Sequence, residues 1–157
     1  MTTFLFLKFV HMLAATLYVG ASFVNGLQEL SAVRSGDAGL QVAALRFAGL
    51  NNRVFLVPAT VLLLGTGIGM AWMQGTEILA SWLRLPLFLF FILTVILAFS
   101  IRLEDRLHAL AASAHARAEP TGADFARLSR RAMALGPLAS LLILAILALM
   151  VLKRAGP

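Results

Sequence analysis

Four apolar blocks, at about residues 4–27, 54–74, 82–101 and 133–152, divide this sequence. Each is close to the roughly 20 residues that a helix needs to cross the hydrocarbon of a bilayer. Their length constrains the fold more than any motif does. No water reaches the backbone inside lipid, so a spanning segment must be a helix or a strand of a closed barrel. The blocks are about twice the length of a barrel strand and carry no alternation of polar and apolar residues. The sequence therefore predicts an all-α integral membrane protein. Its single domain, residues 1–157, is an antiparallel four-helix bundle running up, down, up, down. The first block reads as a retained span rather than a secretory signal, because its apolar run is long and Lys8 lies inside it.

Composition supports lipid as the main solvent. With 61% hydrophobic and 13% charged residues, a 157-residue chain has more apolar surface than one soluble core can hide. The net charge of +6 sits at the ends of the apolar blocks, where it sets orientation; nucleic acid is not an expected partner. The absence of cysteine excludes disulfides, thiolate metal sites, iron-sulfur clusters and covalently attached haem.

Arginine is unevenly divided. Arg34, Arg46, Arg53, Arg102, Arg106, Arg117, Arg127, Arg130 and Arg131 follow the first and third blocks, against Lys8, Arg84, Lys153 and Arg154 on the other side. The positive-inside rule places the arginine-rich end in the cytoplasm and both termini on the outer face of a bacterial inner membrane. Residues 103–117 are rich in Ala, Leu, Arg and Glu and should carry the third helix past the bilayer to a stop near Pro120. Thr121, Gly122 and Asp124 resemble a helix start ahead of the fourth block, and Ser35, Gly36 and Asp37 break the chain between the first and second helices. Gly75, Thr76 and Glu77 make a short outer turn flanked by Trp72 and Trp82. Pro58 and Pro137 fall early in their blocks, where proline costs less than at mid-helix.

Polar residues inside hydrocarbon are costly and therefore informative. Lys8, His11, Ala15, Tyr18, Ser22 and Asn25 recur at intervals of three or four, which gathers them on one face of the first helix, turned into the bundle. His11 is the only histidine within a block. A neutral imidazole is a common axial ligand for haem, and Gly65, Gly67 and Gly69 on the second block could leave a slot for a flat macrocycle. Met70 or Met73 could supply a second ligand, and Arg84 could pair with a propionate. The same residues equally describe ordinary packing: a histidine bonded to the next helix and glycine notches where helices approach. Spacing alone favours packing. His108 and His115 read as a solvated surface, the charges at Arg102, Glu104, Asp105 and Arg106 as helix-end groups, and Asn51, Asn52 and Arg53 as docking partners for Gln28 or Glu29. No hydrolytic triad or phosphate loop is present.

The opening LKFVHMLAATLYVGASF, the RSGD break, the block RVFLVPATVLLLGTGIGMAW and the closing SRRAMALGPLASLLILAILALMVLK together resemble an uncharacterised bacterial family of four-span integral membrane proteins, a domain of unknown function. The opening is also similar to the first helix of copper-resistance D domains and of four-helix membrane protoporphyrinogen oxidases, which are associated with b-type haem. The matching positions are His11, Tyr18 and Gly20, with Tyr18 standing where those groups more often have tryptophan. The resemblance implies a small b-type haem protein in electron transfer or membrane redox chemistry. In that reading His11 ligates the iron, Gly67 and Gly69 make room, Tyr18 tunes the site, Met70 and Arg84 stand by, and a quinone or protein is the redox partner. A cofactor-free accessory or assembly subunit is the alternative, with His11 and Asn25 as interhelical hydrogen-bond groups. Copper handling by His11 with Met12, Met70 or Met73 is the third, and a homodimer through glycine-rich faces fits any of them.

Overall fold

The computed structural model describes residues 1–75 and 81–152. Its helices are α1 (Thr2–Ser35), α2 (Ala38–Asn51), α3 (Val57–Met73), α4 (Ser81–Ala116) and α5 (Ala123–Leu152), and no strand occurs among the described residues. A π-helical turn, Asn52–Leu56, joins α2 to α3, so that Ala38–Met73 is one uninterrupted rod. Four rods in antiparallel sequence make the expected bundle. The shortest, α5, has 30 residues, which at 1.5 Å each is about 45 Å and exceeds the roughly 30 Å of bilayer hydrocarbon. All four therefore project beyond the lipid. Thr76 and Glu77 of the expected turn, and Lys153 and Arg154, lie outside the described residues.

The breaks between rods have local causes. Gly36 takes φ +69°, the left-handed geometry that ends α1, and Asp37 then caps α2 by accepting from the Leu40 N–H at 2.9 Å. After α4, Ala118 turns through φ +53° while the Glu119 N–H bonds back to Ala114, and Pro120 prevents continuation. Asp124 marks the helix start expected there. It lies within the first turn of α5 and pairs with Arg127 at 3.2 Å.

The prolines are absorbed rather than avoided. Pro58 has no N–H to return to Val54, and its ring crowds that carbonyl; the π turn just before it widens the helix, with the Val57 N–H reaching back five residues to Asn52. Pro137 is a correction to the early-turn expectation, because α5 starts at Ala123 and the proline lies well inside it. Pro86 is likewise internal to α4.

α1 runs along α3, α4 along α5, and α2 packs on both α4 and α1, whereas α1 and α5 meet at few points. Two cores result. One, at mid-bundle, joins Ala14, Tyr18, Leu56, Ala59, Leu93 and Ile143; the other, toward the arginine-rich end, joins Leu45, Leu103, Leu107, Ala111 and Phe125. The expected inner face of α1 is largely observed, with Tyr18 and Asn25 buried, Lys8, His11, Ala15 and Ser22 half-buried, and Leu13, Leu17 and Phe23 outside; the buried alanine is Ala14 rather than Ala15. Phe9, Val61, Phe91, Leu141 and Val151 also face outward, as lipid contact requires.

Candidate functional site

His11 is held on α3. Its Nδ1 lies 2.8 Å from Oγ1 of the buried Thr66, whose own hydroxyl donates to the Leu62 carbonyl at 2.5 Å. With the threonine proton committed to that carbonyl, the ring must donate from Nδ1, which leaves the lone pair of the neutral imidazole on Nε2. The glycines explain how the ring comes so close. A Cβ on Gly67 would stand 3.4 Å from Cε1 of His11, and one on Gly69 would stand 3.4 Å from Leu7. The two notches are filled by α1 side chains, so the slot for a flat group expected there belongs to His11 and Leu7 themselves.

The other candidates are spread out. Met70 is half-buried one turn beyond Thr66, and Met73 and Arg84 are exposed. Tyr18 shares the inward face of α1 with His11 but lies two turns away, about 10 Å along the axis, in the mid-bundle core. His115 is exposed, as expected of a solvated surface, with its ring near Gly39, and no group of three His, Cys, Asp or Glu suited to a metal occurs among the described residues.

A second polar constellation was only partly visible in the sequence. The Asn25 amide donates to Asn52 at 3.0 Å, Asn51 donates to Asn25 at 2.6 Å and to the Ala21 carbonyl at 3.0 Å, and Asn52 donates to Glu104 at 2.6 Å. The partner of the asparagine pair on α1 is thus Asn25, one turn before the Gln28 and Glu29 expected. The physical reason is the π turn, at whose junction both Asn51 and Asn52 are buried. Glu104, expected to be a helix-end charge, is the outer link of this chain.

Glu29 and Glu104 lie beyond the apolar blocks, at the arginine-rich end. Burial pushes the Glu29 carboxyl up to about 7. Burial first, then the nearness of Glu29, pushes Glu104 up to about 8, against the opposing hydrogen bond from Asn52. Buried Oε1 atoms of Glu29 and Gln41 have no hydrogen-bond partner among the described residues.

Between α1, α4 and α5 opens a cleft of about 430 Å³. Tyr18, Leu93, Leu97 and Ile143 line its apolar part, and Asn25, Glu29, Asn52 and Glu104 its polar end. It lies where α1 and α5 meet at few points while α4 keeps contact with α5. His11 is not among its lining residues.

The family model described as predicted integral membrane protein (DUF2269) matches residues 5–154. No curated protein and no solved structure matches. The likeness to copper-resistance D domains and to the oxidases therefore rests on the first-helix residues alone.

Proposed function

The chain belongs to the DUF2269 family of predicted integral membrane proteins, and we propose that it is a b-type haem-binding protein of the bacterial inner membrane, in which His11 would hold the haem iron through Nε2. The observation that supports this reading is the His11–Thr66 hydrogen bond. Histidines that ligate metals characteristically give their other ring N–H to a fixed acceptor, which sets tautomer and ring orientation. His11 has that arrangement, with Thr66 as acceptor and Leu62 holding Thr66 in turn. Gly67 and Gly69 serve the ligand in this account, by letting α1 lie on α3, and do not cradle the macrocycle.

When bound, haem would supply one-electron transfer, with a quinone or a protein as partner. The protein's own part is to hold one imidazole neutral and oriented. The arginine distribution supports a cytoplasmic arginine-rich end and outer termini. A C-terminal reporter active only outside the cytoplasm tests that orientation, and a cytoplasmic signal would reverse it.

A second reading has observations of its own. His11–Thr66 and the Asn25–Asn51–Asn52 contacts are interhelical hydrogen bonds, as a cofactor-free accessory subunit would use them. Copper handling is less supported, since Met12 and Met73 face outward. Purified protein from haem-sufficient cells separates the first two: a Soret band lost in His11→Ala supports haem, and a colourless wild type supports the accessory subunit.

A further inference from the structure

We infer that the cleft between α1, α4 and α5 binds a lipophilic amine in its ammonium form, the nitrogen between the carboxyl groups of Glu29 and Glu104 and the chain along Leu93, Leu97 and Ile143. This site is separate from His11 and stands whether or not haem is bound.

Shape and polarity agree. A cavity of about 430 Å³ is within the range of small-molecule sites. From Tyr18 to Glu29 the α1 wall runs about 16 Å, from the apolar mid-bundle core to the carboxyl end. An amphipathic molecule lying along the bundle axis meets apolar wall and polar end in that order.

Charge selects the head group. Among the described residues the lining contains two carboxyls and no lysine, arginine or histidine. The Asn25 and Asn52 amides each spend one N–H within the protein, on Asn52 and Glu104 respectively. Alongside its donors, the polar end offers acceptors. One buried oxygen of Glu29 has no partner among the described residues. On the α5 wall, Pro137 has no N–H to give Met133, whose carbonyl is thereby left without its usual helical donor. A ligand that complements these groups donates hydrogen bonds and carries positive charge, and the ammonium group of an amine does both.

The site also couples to pH. Glu29 faces it from α1, Glu104 from α4 with Asp105 nearby, and Asn52 from the π turn; the α5 wall adds no charged side chain. Both carboxyls hold their protons to unusually high pH, and ammonium favours their ionised forms. Binding therefore tightens as pH rises through about 7 to 8.

The test uses full-length protein in phosphatidylcholine nanodiscs and radiolabelled dodecylamine, with protein-free nanodiscs subtracted. The expected result is saturable binding, weakened about tenfold in Glu29→Gln/Glu104→Gln. The control Glu119→Gln, which removes a carboxyl at an exposed pair with Arg117, binds as wild type. Ser140→Phe, which fills the cleft without touching either carboxyl, provides an independent loss; circular dichroism confirms that each variant is folded. Wild-type affinity in either the double variant or Ser140→Phe, or equal retention of neutral dodecanol, would overturn the assignment. Repeating the titration with phosphatidylethanolamine in the disc identifies the source: competition assigns the ammonium to a lipid head group, and unchanged binding assigns it to a free amine.

Discussion

Thr66 holds His11 by one ring nitrogen only, accepting from Nδ1 at 2.8 Å while its own proton goes to the Leu62 carbonyl. This makes the threonine a positioning residue for whatever Nε2 meets. Thr66→Val removes the acceptor and keeps the shape, so haem retention should fall by about 10-fold or more, as loss of an outer partner does at metal-bound histidines. Thr66→Ser should restore it. Haem content per protein, with the reduction potential alongside, distinguishes this from a general loss of folding.

Gly67 tests the close approach of α1 and α3. An added methyl would stand at ordinary contact distance from the imidazole, 3.4 Å from Cε1, so Gly67→Ala should be tolerated. Gly67→Leu should push His11 off Thr66 and destabilise the protein by about 1–3 kcal/mol, the usual range for overpacking. Unfolding in mixed detergent micelles measures both.

The asparagine chain predicts non-additivity. Asn52 is 2% exposed and bonded on both sides, so Asn52→Ala leaves Asn25 and Glu104 short of partners and should cost about 1–3 kcal/mol. The double variant with Asn25→Ala should cost clearly less than the sum of the two single changes, by about 0.5 kcal/mol or more. Simple additivity in a double-mutant cycle would mean that the two residues act independently.

Stability should decline as the medium becomes alkaline. The folded-state values of Glu29 and Glu104, about 7 and about 8, lie above the ordinary value of 4.5, so the folded protein binds more protons than the unfolded chain. Their contribution is fully present below pH 4.5 and is lost as pH rises through about 7 and 8. Glu104→Gln should flatten that decline, with a gain on the order of 1 kcal/mol above pH 8, read from unfolding midpoints between about pH 5 and 9.

The bundle was readable in the sequence because lipid leaves the backbone few choices. Apolar length gave the four rods, Gly36 with Asp37 gave the first break, and Pro120 gave the second. The spacing of His11, Tyr18 and Asn25 gave the inner face of α1. Less legible were features that depend on two helices at once. Thr66 is one more small residue between Gly65 and Gly67 in the sequence, and its role exists only where α1 lies on α3. The π turn has its signal in Pro58, but its consequence, the burial of both Asn51 and Asn52, depends on how the rods pack. Glu104 stands in a run of charges typical of any helix end, and only the meeting of α4 with the second rod turns it inward to Asn52. The cleft follows from the sparse contact between α1 and α5, for which no local sequence rule exists.

The most direct measurement is the visible spectrum of detergent-purified protein, oxidised and reduced, for wild type and His11→Ala side by side. The account predicts a Soret band with reducible b-type character in the wild type and its loss in the variant. A wild type that stays colourless after haem supplementation, or a variant with an undiminished Soret band, would contradict His11 as the haem ligand.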